Sequence, residues 1–168
     1  SLGAIYQGDA AKPPGKGVTW GILTNDNEAI KWHLRSIQQG GPVYQGFSYH
    51  FLSLIYKRGN GVPKDLEKSS KLLRKSAELG LAESQCELGR DYLDGKTDWD
   101  ILSQDYKEAV KWLRKAALQG HAEALRELGG CYFQGKGVLQ DYVSAYALLS
   151  LAGYYGHERS SKDLPHVA

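Results

Sequence analysis

The side chains that could do metal, phosphate or acyl chemistry in this 168-residue chain are few, and their spacing assigns them none of it. The five histidines are His33, His50, His121, His157 and His166. No two stand three or four residues apart, the separation that puts a pair of imidazoles on one helical face for a zinc ion. Gly15-Lys16-Gly17 has the look of a phosphate loop, in which backbone N–H groups cradle the anion and a lysine reaches it. The glycine required five residues before Gly15 is Ala10, however, and Gly17 stands where Ser or Thr would ligate magnesium. Two cysteines, Cys86 and Cys131, do not make a disulfide framework for a chain of this size. Neither a cysteine nor a serine sits in the strand-to-helix turn that exposes a nucleophile. The chain is therefore read as non-enzymatic, with no metal and no cofactor. Its chemistry is that of a binding surface.

Composition narrows what could bind. A hydrophobic share of 42% suits an ordinary globular protein with a buried core. Lys+Arg 21 against Asp+Glu 19 gives a formal charge of +2, far from the strongly basic balance that phosphate-backbone binding needs, so nucleic acid is excluded as the main partner. No stretch approaches the roughly 20 consecutive apolar residues of a membrane span, and Ser1-Leu2-Gly3 does not begin a basic-then-apolar signal segment. The sequence contains no Met and is read as a portion of a longer precursor. The run from Lys64 to Lys75 alternates sign at helical spacing, which predicts a solvated face with i,i+4 pairs.

The elements that position these residues are set by a repeat. Gly40, Gly80, Gly120 and Gly156 recur at spacings of 40, 40 and 36 residues. Counting back from each glycine aligns Ala29-Ile-Lys-Trp32, Ser69-Ser-Lys-Leu72, Ala109-Val-Lys-Trp112 and Ala145-Tyr-Ala-Leu148 without a gap, a small residue followed by a large one. Upstream, Leu52-Ser-Leu-Ile-Tyr56, Leu88-Gly-Arg-Asp-Tyr92 and Leu128-Gly-Gly-Cys-Tyr132 align in turn, with Leu2-Gly-Ala-Ile-Tyr6 as a fourth copy. Each unit thus has two helical halves. In the first half Ser48, Leu52 and Tyr56 stand four residues apart, as do Ser84, Leu88, Tyr92 and Ala124, Leu128, Tyr132, which stacks them on one stripe. The small residue at positions 53, 89 and 129 lets a neighbouring helix approach. A glycine-bearing turn follows, and Asp65, Asp105 and Asp141 then stand where a second helix needs an N-cap. Glu108, three residues after Asp105, fits a capping box, and Asn25 with Glu28 repeats the arrangement. The second helix closes on Gly80, Gly120 or Gly156, where a left-handed residue is cheapest as glycine. Because one such hairpin cannot bury its apolar stripe alone, the copies must stack into a superhelix with the first helices on the concave side.

These residues resemble the Sel1-like repeat family, relatives of tetratricopeptide repeats. The resemblance rests most firmly on Gly120-His-Ala-Glu-Ala-Leu-Arg-Glu-Leu-Gly129, Tyr132-Phe-Gln-Gly-Lys-Gly-Val-Leu-Gln-Asp-Tyr142 and Ala109-Val-Lys-Trp-Leu-Arg-Lys-Ala-Ala-Leu-Gln-Gly120. It implies an all-α fold, a right-handed α/α superhelix of about four repeats at 1–40, 41–80, 81–120 and 121–156, with a short cap helix over 157–164. It also implies a scaffold that captures another protein, often in bacterial envelopes or in host interaction, and no catalytic residues. Residues 1–168 are read as one domain.

The departures carry the individuality. The first unit has a long connection from residue 8 through Trp20 onward, and the third has four extra residues around Trp99. A tryptophan in a loop needs an anchor, either on its own domain or on a partner. The paired cysteines of some relatives are missing, so Cys86 and Cys131 are read as buried thiols. Leu2 aligns with the middle of a first helix, and the array is therefore read as cut at its N-terminus. His121 and His157 each follow a closing glycine, where a polar residue starts the next helix.

With Leu52 facing the core and 100° per residue, positions 47, 50, 51 and 54 point to the other side of their helix. In the second unit these are Phe47, His50, Phe51 and Leu54. In the third they are Glu83, Cys86, Glu87 and Arg90, and in the fourth Glu123, Arg126, Glu127 and Gly130. An aromatic end and a charged floor would share one groove, a surface suited to another protein, with Trp99 as a further candidate contact. Two readings of Phe47, His50 and Phe51 stand side by side: anchors for a partner, or residues covered by the first unit. If they are anchors, Phe51→Ala weakens partner binding and leaves helicity intact. A narrower version, carried by the resemblance, is an immunity protein that plugs a secreted toxin. From another class, a glycan- or peptidoglycan-binding module would stack sugars on Trp20 and Trp99.

Overall fold

The computed structural model describes residues 26–59, 61–95 and 104–156 of the chain. Among them are seven α-helices and no strand: α1 (Asp26–Gln39), α2 (Pro42–Arg58), α3 (Leu66–Glu78), α4 (Ala82–Asp94), α5 (Tyr106–Ala117), α6 (Ala122–Gln134) and α7 (Tyr142–Tyr154). First helices α2, α4 and α6 alternate with second helices α1, α3, α5 and α7. Each helix packs on its neighbours along the chain, and α4 also touches α6, so successive first helices lie side by side. The chain is a helical solenoid. Several expectations, namely the copy at residues 2–6, the insert tryptophans Trp20 and Trp99, the cap at Asn25 and the terminal helix over 157–164, fall outside the described residues.

The start of each later second helix is set by its aspartate. Asp65 accepts from the Lys68 N–H at 2.9 Å, Asp105 from Lys107 and Glu108 at 2.9 and 3.1 Å, and Asp141 from Val143 and Ser144 at 3.0 and 3.2 Å. Each such cap is worth about 1 kcal/mol. The return arm of the capping box expected at Glu108 does not form. The Asp105 N–H already donates to the Tyr92 carbonyl at 3.0 Å, as Asp65 does to Tyr56 and Asp141 to Tyr132. With its target taken, the Glu108 carboxylate pairs with Lys111 instead. The tyrosine-to-aspartate bond closes the turn between the two helices of a unit three times over.

Gly80, Gly120 and Gly156 have φ of +99°, +76° and +95°, the left-handed conformation expected of them. Around Gly80 the N–H groups of Gly80 and Leu81 donate back to Ala77 and Ser76, and Gly120 and His121 repeat this on Ala117 and Ala116, which satisfies the last carbonyls of α3 and α5. The small residues also act as expected. A methyl on Gly89 would lie 2.7 Å from Leu113 Cγ, and one on Gly129 3.0 Å from Leu149 Cγ, so these two glycines set how closely the paired helices approach. Ser53 holds the same place one unit earlier, and its carbonyl accepts from Ser69 Oγ at 2.8 Å.

Among the described residues two clusters fill the core. Leu73, Ala77, Leu88, Tyr92, Ala109 and Trp112 join α3, α4 and α5. Cys86, Val110, Leu113, Ala116, Ala124, Leu128 and Cys131 join α4, α5 and α6. Both cysteines are buried thiols. Polar bonds stitch the units across their seams. Arg74 donates to the Tyr92 hydroxyl at 2.8 Å and Arg114 to the Tyr132 hydroxyl at 2.9 Å. Gln45 Nε2 donates to the carbonyls of Ile37 and Gly40, and Gln85 Nε2 to that of Ala77, so each glutamine ties a first helix to the last turn of the helix before it.

Candidate functional site

A concave cavity of about 380 Å³ opens where the first helices meet. His50 and Lys57 come from α2, while Glu83, Cys86, Glu87, Arg90, Asp91 and Asp94 come from α4; His121 and Glu123 stand at the start of α6. Helix α4 forms the floor because it is the middle one of the three described first helices and exposes a continuous stripe to the groove. His121 is there because it caps α6, its Nδ1 accepting from the Ala124 N–H at 3.3 Å.

His50 is held from behind by a chain of hydroxyls. Ser76 Oγ donates to the Gly46 carbonyl at 2.7 Å, Ser84 Oγ lies 2.7 Å from Ser76 Oγ, and His50 Nδ1 lies 2.9 Å from Ser84 Oγ. One proton per hydroxyl fixes the direction of the chain. Ser76 gives its proton to the carbonyl, Ser84 must give its own to Ser76, and His50 therefore donates from Nδ1 to Ser84. In the neutral ring Nε2 is then the acceptor. Burial lowers the His50 pKa, with Lys57 acting the same way and Glu87 and Glu83 opposing.

The electrostatics of the floor are acidic. Five carboxylates, Glu83, Glu87, Asp91, Asp94 and Glu123, face two permanent cations, Lys57 and Arg90, although the whole chain carries a formal charge of +2. Lys57 bridges to Glu87 at 2.8 Å and so links α2 to α4. Burial pushes the Asp91 carboxyl up to about 6; Lys57 opposes this, and Glu87 and Asp94 add to it. Burial likewise pushes the Cys86 thiol up to about 12, so it is no nucleophile at neutral pH. Among the described residues no group of three His, Cys, Asp or Glu could hold a metal ion, and no helix is long and apolar enough to cross a membrane.

Of the residues singled out from sequence, His50, Glu83, Cys86, Glu87, Arg90 and Glu123 come together in this cavity. Arg126 and Glu127 do not line it. Arg126 pairs with Glu123 at 2.9 Å and with Glu127, which places it beside the rim, and burial raises the Glu127 pKa against the opposing pull of Arg126. Phe47, Phe51 and Leu54 also lie outside the lining. Phe47 is 52% exposed, whereas Phe51 is half-buried and stacks on His33 of α1 with ring centroids 4.4 Å apart. Gly130 is half-buried outside the lining, and Trp99 is outside the described residues. Lys57, Asp91, Asp94 and His121 were missed. Three of the four acids on α4, Glu83, Glu87 and Asp91, stand four residues apart, with Asp94 three further on, a stripe legible from spacing alone.

The chain matches the family model described as Sel1 repeat four times, over residues 15–41, 46–81, 82–121 and 122–157. Three solved structures resemble it. A Sel1 repeat protein from Oxalobacter formigenes is 27% identical with a TM-score of 0.72, over 80% of this chain and 96% of that one. A protective antigen of uropathogenic Escherichia coli strains, displaying an SLR fold, is 35% identical with a TM-score of 0.69; the match covers 80% of this chain and 27% of the antigen. Cysteine rich protein B of Helicobacter pylori, 22% identical, shares the fold with a TM-score of 0.60 over 82% of this chain and 92% of that one. Comparison with curated proteins finds no match. Sel1 repeat proteins are generally protein-interaction scaffolds and typically non-enzymatic. With four copies of the repeat matched across most of its length, the chain belongs to the Sel1 repeat family.

Proposed function

We propose that the chain is a non-enzymatic scaffold that holds a segment of another protein in the groove between its first helices, with a lysine or arginine of that segment seated among the carboxylates of α4. The observation that carries this reading is the charge of the cavity, five carboxylates against two permanent cations, in a chain whose overall balance is positive. A cation entering a cavity of this size meets Asp91 and Asp94 towards one end and Glu83 at the other, where Glu123 is already paired with Arg126. Its arrival favours the ionised form of Asp91, so binding and deprotonation reinforce each other. Neutral His50 offers Nε2 as an acceptor for a neighbouring N–H of the segment. Exposed Phe47 can add an apolar contact on the same helix as His50; Phe51 is engaged with His33, so Phe51→Ala would remove an interhelix contact as well as any partner contact.

Selection of random displayed peptides on the intact chain tests this. Enrichment of Lys- and Arg-bearing sequences is expected, with affinity falling as salt rises. Glu83→Lys combined with Asp94→Lys, both at exposed positions, should weaken the enriched peptides by at least about tenfold while helicity and melting stay unchanged. Enrichment of acidic or purely apolar sequences, or affinity indifferent to the two reversals, would contradict the reading.

A further inference from the structure

The outward face of the last second helix breaks the pattern of the others. On α3 the solvent stripe opposite the core reads Glu67, Lys71, Lys75, Glu78, and on α5 it reads Lys107, Lys111, Lys115, Leu118, while Arg74 and Arg114 turn to the tyrosines of the next unit. The same positions on α7 are Val143, Ala147, Leu151 and Tyr154, flanked by Tyr142, Tyr146 and Ser150. No charged residue occurs anywhere in α7. Val143 is 80% exposed, Tyr154 83%, Tyr142 50%, Tyr146 48% and Leu151 46%, while Ala145, Leu149 and Ala152 on the opposite side are buried against α6 and the array. The helix is thus apolar all round, and a helix of that kind needs cover on both faces.

We infer that a second copy of this chain supplies that cover, with α7 packed antiparallel on α7 across a twofold axis. Two features favour a copy over other occupants. The stripe is self-complementary in size. An axis passing between Ala147 and Ser150 sets these small residues at the crossing point, where the backbones must approach. It brings Val143 against Tyr154 of the second copy and Tyr146 against its Leu151. The stripe is also self-compatible in charge: with no ionised group on α7, a twofold brings no like charges together, which the lysine-bearing stripes of α3 and α5 cannot avoid.

Sedimentation of the intact chain over a range of concentrations tests the inference. The wild-type chain is expected to reach twice the mass of one chain as concentration rises. Val143→Lys, Ala147→Lys and Leu151→Lys together, the residues that α5 carries at these positions, should hold it at one chain with unchanged helicity. Ala147→Lys alone, exposed in one copy and at the axis in two, should also lower the mass and guards against a folding defect in the triple variant. A wild-type chain that stays monomeric at every concentration overturns the inference, whether α7 is then found on lipid vesicles or under residues 157–168. Dimerisation that survives both variants overturns it equally.

Discussion

The seam between α3 and α4 and the seam between α5 and α6 occupy the same place in successive repeats, yet one is polar and the other is not. Ser76, Ser84 and His50 in the first become Ala116, Ala124 and Cys86 in the second. All of these but the half-buried His50 are buried, and Ser76, Ser84, Ala116 and Ala124 are fully so. The repeat therefore requires small residues at the crossing of these helices and is indifferent to hydroxyl or methyl, provided every hydroxyl finds a partner. In the polar seam the partners exist, running from the Gly46 carbonyl to the imidazole at the groove wall. The difference matters at the groove: it puts an oriented acceptor on one wall and an inert thiol on the floor.

The largest effect should come from the apolar seam. Leu113 is fully buried and fills the space that Gly89 leaves open, so Leu113→Ala should cost about 2–5 kcal/mol, measured by urea unfolding. In the polar seam Ser84→Ala leaves the His50 Nδ1–H without its acceptor, while Ser76 keeps its bond to the Gly46 carbonyl, at about 1–3 kcal/mol. Converting the whole seam with His50→Cys, Ser76→Ala and Ser84→Ala should cost less than Ser84→Ala alone, because no polar group is then stranded. A triple variant weaker than the single one would break the comparison. Acidity should separate the seams too. His50 has a lowered pKa in the folded chain, so the stability it contributes is fully present above its ordinary 6.5 and is lost as pH falls below that value. Melting followed between neutral and mildly acidic pH should therefore show a decline in the wild type that is reduced in the triple variant.

Asp91 has the opposite sign of pH dependence. Its pKa is raised to about 6 in the folded chain, so the group penalises the fold above that pH and ceases to do so below the ordinary carboxylate value. Asp91→Asn should stabilise the chain at neutral pH by on the order of 1–2 kcal/mol, less than the bare shift implies because Asp91 keeps some contact with water. The gain should fade as pH drops towards 4. A stabilisation that persists in acid would point to something other than the charge.

How much of this was legible in the sequence follows from what kind of information each feature needs. The closing glycines, the capping aspartates and the small residues at 89 and 129 are local or repeat in register, and spacing located them. The failed capping-box arm at Glu108 depends on the Tyr92 carbonyl, a backbone group that no side-chain pattern reports. Gln45 and Gln85 were overlooked because a glutamine at the start of a helix has many possible uses until the preceding helix end is placed beside it. At the groove, a helical wheel centred on Leu52 put Glu83, Glu87 and Arg90 on the face that lines the cavity but could not show that Lys57 reaches across from α2 or that Asp91 turns inward to the same cavity. It also grouped Phe51 with His50, although the neighbouring α1 takes Phe51 for itself through His33.

Amide hydrogen exchange of the intact chain, with and without a captured basic peptide, tests the groove most directly. Added protection is expected on α2, α4 and the first turn of α6, with the outer faces of α3 and α5 unchanged. Protection confined to the second helices, with α4 indifferent to the peptide, would contradict it.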